Sequence, residues 1–397
     1  MDRYSELMQN KKNDLRKPTV KLISNRDSLY SGWEITRISK TINNVYYQNE
    51  LINSIRALLI EGTNPKDIYV LNDSVNIGNQ YTKYSSGIMN INNKKDIVKW
   101  YHLGSPISLF PNKFSSQIFV IFEAYRATVT FCNKNQLILP NKKESLFEMK
   151  QKMNSSNFSL KNTIIRFITS KNIIDKANKA KIKALEKKLN FYEKNMEEIE
   201  TMNYSLESII KNMEDSKLKI DPNIEFKRNF LNTNRPIVLV KEKNNLRIIC
   251  SELIVRSKFQ HSNYRFFENK SISQNSPLCY IVAFGIGFLP TLINVAKQRV
   301  NLHQTRVYNL KQSKNSDEEI SILENEIEDL ESFLDNNKRE ETVSKTIELS
   351  SKTKLSKSAK FSFDSVAKLQ KVTEKATLNI MEENNIIISN EEIKDIS

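Results

Sequence analysis

The sequence predicts an α+β protein in which two small β-containing regions are separated by a long heptad helix and followed by a basic helix and an acidic coiled-coil helix. Three observations carry this. From Ile182 to about Ser216 the apolar residues Ile182, Leu185, Leu189, Tyr192, Met196, Ile199, Leu206, Ile210 and Met213 keep the 3, 4 spacing of a coiled-coil seam, with Asn203 at one core position. Short β-type runs between polar turns lie on both sides of it. A second seam, Ile320, Leu323, Ile327, Leu330 and Leu334, runs through a segment with eleven acids between Asp317 and Glu341.

Taken in order, residues 1–18 form a polar arm ending at Pro18, and 19–170 an α+β domain. Strands are expected at Val20–Ile23, Trp33–Ile38, Asp67–Leu71, Gln117–Phe122, Ala127–Cys132 and Gln136–Leu139, where β-branched and aromatic residues gather. Gln48–Glu61 reads as a helix, with Leu51, Ile55, Leu58 and Leu59 on one face and Gly62 as its stop. In the run Gln117–Phe131 the apolar residues fill both faces of a strand, which would then be buried on both sides. Glu123 and Arg126 follow at its exit as a carboxylate beside a cation.

The heptad helix occupies 171–220, a rod of roughly 50 Å over the seam, and Asp221-Pro222 ends it. A β-rich region, 221–290, follows. Pro236–Val240 and Leu246–Cys250 flank the polar Lys241–Asn245 as a hairpin, and the strands are expected to continue through Leu253–Val255. The two β-containing regions are either halves of one domain or two domains.

Residues 271–296 carry no charge, which raises a transmembrane span. Pro290 is placed to open a helix, so the continuous apolar run is only Leu278–Leu289, short for a span and ordinary for a buried strand or core helix. A membrane partner is therefore disfavoured.

Residues 291–341 are expected to form a helical hairpin or coiled coil. The helix from Pro290 carries Ile293, Ala296, Val300, His303, Val307 and Leu310 at heptad spacing, with His303 as a partly buried, uncharged seam residue. No acid lies between Glu268 and Asp317, while Lys270, Lys297, Arg299, Arg306, Lys311 and Lys314 do. A break is expected at Gln312–Asn315, and Ser316 with Glu319 reads as a capping box for the acidic helix. That helix finds opposite charge either in the basic helix before it or in Lys176–Lys194, where seven lysines face two glutamates. It folds back on one of them or binds the same surface of a second subunit. Residues 342–397 read as a mobile tail with a candidate amphipathic helix (Phe363, Val366, Leu369, Val372 or Thr373, Ala376, Ile380).

Composition bounds the function. The net charge of +15 favours a polyanionic partner, unless it reflects only a Lys-rich codon bias. Seven glycines leave no pair at P-loop spacing, and Gly285-Ile-Gly287 lacks the third glycine and the acid of a dinucleotide fingerprint. The three cysteines and three histidines are scattered, which argues against zinc and for a reducing compartment. His102 lies near Ser105 without a nucleophile elbow. No signal peptide is expected from the charged N-terminus.

These readings lead to a non-enzymatic structural and assembly protein, a virion component of a low-GC phage or virus or a host-cytoplasmic protein, not secreted. Its expected partners are itself or other structural subunits through the seams, and no cofactor or metal is expected. The alternatives are a nucleic-acid-binding protein of a virus or mobile element, and a membrane-associated protein anchored through 278–296. The candidate nucleic-acid contacts are Arg256, Lys258 and Arg265, interleaved with aromatics, and Lys297, Arg299, Arg306, Lys311 and Lys314 on the basic helix.

Overall fold

The computed structural model describes residues 19–24, 30–74, 87–155, 157–172, 175–205, 208–209, 221–233, 235–251, 268–273, 279–283, 288–313, 317–338, 341–342 and 355–390. The α+β class is what these residues show: ten helices and two small sheets in separate regions, with a long helix between the β-containing segments of the chain. Two compact units share the chain, one of 1–62, 256–356 and 363–397, the other of 63–255 with 357–362. The second is thus inserted into the first.

In the first unit β1 (Thr19–Ser24) is central in a four-stranded antiparallel sheet. Its neighbours come from the far end of the chain: β8 (Cys279–Ala283), with β7 (Glu268–Ser273) beyond it, on one side, and β9 (Ile386–Asn390) on the other. Four helices belong to this sheet: α1 (Gly32–Ile60), α8 (Leu289–Ser313), α9 (Asp317–Asn336) and the greater part of α10 (Lys357–Glu383). One core joins Val20, Leu22, Ile386 and Ile388 of the sheet to Ile38 and Tyr46 of α1, Ile293 and Ala296 of α8, Leu330 and Phe333 of α9, and Met381 of α10. Within it Tyr46 meets Phe288 edge to face at 5.3 Å.

Polar groups bind the helices of this unit together. The Thr291 hydroxyl donates to Asn49 Oδ1 at 2.7 Å. Arg56 donates to Gln370 Oε1 at 2.7 Å and stacks over the Phe363 ring, while Gln370 and Asn294 both donate to Glu374 Oε1. Burial pushes the Glu374 pKa up, against the hydrogen bonds of Asn294 and Gln370 and the cations Lys371 and Arg56, which pull it down.

The inserted unit is built on β2 (Ile68–Ser74), whose Ile68, Tyr69, Val70 and Leu71 are all fully buried, the mark of a strand covered on both faces. Its antiparallel sheet has the order β3 (Ile88–Asn90), β6 (Asn245–Ile248), β5 (Pro236–Glu242), β2, β4 (Pro106–Ser108). Strands β5 and β6 form the expected hairpin, closed by the Glu242–Asn245 pair with Lys243 at φ +55°. Because β5 pairs with β2, the β-segments before and after the heptad helix are halves of one sheet. The helices are α2 (Lys94–Leu103), α3 (Lys113–Asn135), α4 (Lys142–Lys152), α5 (Leu160–Thr169), α6 (Lys176–Thr201) and α7 (Ile224–Asn232).

Several expectations are corrected. Trp33–Ile38 is the first turn and a half of α1, which Ser31 and Glu34 open as a reciprocal capping box. Gln117–Phe122 and Ala127–Cys132 lie inside α3, whose Ile118, Ile121, Phe122, Tyr125 and Cys132 are buried at helical spacing. A helix buried around most of its girth has little polar face to betray its period. Gln136–Leu139 forms no strand; Gln136 caps α3 at φ +57°. The long helix stops at Thr201, so Asn203 is in non-helical backbone and not a core position. The tail is not a free appendage from 357 to 390, because α10 buries Phe363, Val366 and Leu369 and β9 closes the first sheet. Residues 1–18, Leu253–Val255, Gly285–Gly287 and Ser316 lie outside the described residues.

Glu374 sets a pH dependence. Its raised pKa means that the folded state holds a proton more tightly than the unfolded chain, so stability falls as pH rises from the ordinary carboxylate value of about 4.3 through the folded one. Glu374→Gln removes this. Denaturant unfolding at pH 7 and pH 5 is expected to show the wild type gaining on the variant at the lower pH; the reverse trend would contradict the assignment.

Candidate nucleic-acid interface

Three of the cations expected on the basic helix are paired within the chain, and one of them, Arg299, is buried. In α8, Lys297 binds Glu341 Oε1 at 2.6 Å and Lys311 binds Glu324 at 2.6 Å. Arg299, only 4% exposed, donates through Nε to His303 Nε2 at 3.0 Å and through Nη1 to the Ile386 carbonyl of β9, and lies 3.6 Å from Glu326. His303 Nε2 is itself 3.1 Å from Glu326 Oε2. Burial pulls the Arg299 pKa down, while Glu326 and Glu382 hold it up. Arg306 is exposed; Arg256, Lys258, Arg265 and Lys314 lie outside the described residues. The acidic helix has folded back on the basic helix of its own chain, with Leu323 and Leu330 of its seam buried and Ile320, Ile327 and Leu334 half-buried.

The described part of the first seam is also closed within the chain. In α6, Ile182, Leu185, Leu189, Met196 and Ile199 are buried, Tyr192 is half-buried, and the helix packs on α3 and α5. Leu206, Ile210 and Met213 lie outside the described residues.

The positive charge that remains is unevenly shared. The first unit holds 28 Lys and Arg against 27 Asp and Glu, and the inserted unit 33 against 19, so the latter carries +14 of the net +15. On α6, Lys176, Lys179, Lys183, Lys187 and Lys188 are exposed and have no ion pair among the described residues. This is the surface that sequence reasoning missed as a contact. The run of seven lysines was legible there, but as a partner for the acidic helix.

The residues weighed for catalysis do meet. Ser105 donates to Glu123 Oε1 at 2.7 Å, and Asn72 and Arg126 donate to the same oxygen at 3.0 and 2.8 Å. Arg126 also donates to Ser105 Oγ and to the Tyr101 carbonyl, and its guanidinium stacks over the Tyr101 ring. Gly104, at φ +134°, lets the chain pass Leu71, where an added Cβ would lie 3.1 Å from the Leu71 Cβ. Ser105 is fully buried, and the carboxylate oxygen beside it already accepts three hydrogen bonds. The arrangement fastens the turn before β4 to α3. His102 is exposed, 3.4 Å from Lys142 Nζ.

Among the described residues no helix is long and apolar enough to cross a membrane, and no group of three or more His, Cys, Asp or Glu could hold a metal ion. Of the apolar run 278–296, residues 279–283 lie in β8 and 289–296 in α8. No known protein family matches the sequence, and no curated protein or solved structure is similar to it.

The buried charges of α8 make a direct prediction. Glu326→Gln keeps the side-chain volume but removes the larger of the two counter-charges of the buried Arg299, and is expected to destabilise the first unit by about 3 kcal/mol, read as a shift in the urea midpoint. A loss below about 0.5 kcal/mol, the range of ordinary surface changes, would contradict the role given to the pair.

Proposed function

We propose that this chain is a non-enzymatic structural protein that works by binding, and that a nucleic acid is the partner of its inserted unit. One observation carries the reading: nearly all the net positive charge lies on that unit, and Lys176, Lys179, Lys183, Lys187 and Lys188 of its α6 are exposed and without ion pairs among the described residues. A surface of this kind gains binding energy from a phosphate backbone by releasing the counterions condensed on it, without reading any sequence. The first unit, whose basic helix pairs Lys297 and Lys311 with acids of the same unit, serves as a scaffold in this account. Such a protein suits a place near a genome, in a virion of a low-GC virus or in the cytoplasm of its host. Assembly through the helix seams is not needed for it, because the described seam residues on α6 and α9 are buried or half-buried in their own units.

Fluorescence anisotropy of a labelled oligonucleotide against the full chain tests the proposal. With about four phosphates neutralised, the logarithm of the affinity is expected to fall with the logarithm of salt at a slope near −3, a loss of roughly 50-fold between 50 and 200 mM. Lys297→Gln with Lys311→Gln is expected to leave the affinity unchanged. No binding at 50 mM salt would end the reading, and a loss on changing Lys297 and Lys311 would return the interface to α8.

A further inference from the structure

The outer face of α6 has a register that points beyond general polyanion binding. At 100° per residue, Lys176, Lys179, Lys183, Lys187 and Lys194 fall within an arc of roughly 80°, on the side of the helix away from the buried Ile182, Leu185 and Leu189. A further cation joins them from outside the helix: Lys161 of α5 places its ammonium 3.2 Å from the Oδ1 of Asn190, which lies in the same arc. Lys194 makes a long, exposed contact of 3.8 Å with Glu198 and is otherwise part of the row. From Lys176 to Lys194 the ridge extends about 27 Å, with a cation roughly every 6 Å along its basic half.

Phe191 stands beside this row. Its ring is 65% exposed, on the turn between Lys187 and Lys194 and roughly 40° outside the arc on the Lys187 side, and it touches Tyr192 edge to face at 5.4 Å. A lone exposed aromatic is ordinary; one set beside a row of cations supplies the second half of a recognised combination, charge for the backbone and a flat face for a base. In a duplex the bases are stacked on one another, and the backbones wind away from a straight rod after a short contact. A single strand can lie along the ridge and turn a base onto the ring.

We propose that the α6 ridge, made of Lys176, Lys179, Lys183 and Lys187 with Lys161, Lys194 and Phe191, is a binding site for single-stranded nucleic acid. This assignment rests on the nucleic-acid reading of the inserted unit and names its surface and the form of its ligand. The contacts are to phosphates and to one base face, so the site has little sequence preference and its affinity falls steeply with salt.

The test uses the full chain with a labelled 20-nucleotide oligothymidylate and, separately, a labelled 20-base-pair duplex in 50 mM salt. Three variants are compared with the wild type after circular dichroism confirms the fold. The ridge variant joins Lys176→Gln, Lys179→Gln, Lys183→Gln and Lys187→Gln; a charge-matched control joins Lys95→Gln, Lys134→Gln, Lys143→Gln and Lys171→Gln, all exposed positions of the same unit. The third is Phe191→Ala. The wild type is expected to favour the single strand. The ridge variant is expected to lose at least 10-fold and to flatten the salt slope by about 3, the control to lose less than about 3-fold, and Phe191→Ala to lose roughly 5-fold or more on the single strand alone. Equal losses in the ridge and control variants would overturn the ridge while leaving nucleic-acid binding by the unit intact. Preference for the duplex, or a silent Phe191→Ala, would overturn the single-strand assignment. Polyglutamate that competes as well as the oligonucleotide would replace nucleic acid with an acidic protein surface. Absence of binding by the wild type would remove this inference and the proposed function together.

Discussion

A guanidinium that has left water is stable only where its donors are met and its charge is answered, and Arg299 is the point at which the first unit meets that demand. Its contacts reach three elements: His303 on its own helix, Glu326 on the acidic helix, and the Ile386 carbonyl on the last strand. The acidic helix, the basic helix and the edge of the sheet are therefore held by one buried group. That strand pairs with β1, so residues 19–24 and 386–390 are joined in the same sheet.

Charge is distributed along the same lines. The first unit is near neutral by composition, and within it Lys297 and Lys311 pair with Glu341 and Glu324. The excess is left on the inserted unit, where the lysine row of α6 stands opposite a buried apolar seam. One amphipathic helix thus does two things with its two faces, packing on α3 and α5 with one and presenting cations with the other. The polar cluster of Ser105, Glu123 and Arg126 shows the opposite use of charge in the same unit: it joins a turn to a helix and is closed to solvent at its serine.

How much of this was legible in the sequence depends on range. Heptad spacing identified a long helix, though over 171–220 where the structure has Lys176–Thr201, and the acidic helix, together with residues they bury, since Ile182, Leu185, Leu189, Leu323 and Leu330 are all inside. Spacing does not say what covers a seam, because α3 and α5 offer the same apolar chemistry as a second copy would. Helix α3 was hidden by its own burial: with apolar residues nearly all round and many β-branched or aromatic, it imitates strands over any six residues. The start of α1 was readable from Ser31 and Glu34, a capping box overshadowed by the β-rich composition of Trp33–Ile38. Strand β9 could not be read as part of the fold, because Ile386–Ile388 gain their partners only from β1, more than 360 residues away. The same holds for the approach of Ser105 to Arg126, which depends on a turn at Gly104 that no local pattern announces.

The described residues of both coiled-coil seams are covered within one chain, which leaves charge as the outward device. The most direct measurement is the mass of the purified, nucleic-acid-free chain by sedimentation equilibrium from low micromolar to high micromolar concentration. A single 46.2 kDa species at every concentration, in 0.1 M and 1 M salt, is the predicted result. A dimer or trimer that persists in 1 M salt would mean that the seams are shared between chains, and would contradict the account at its base.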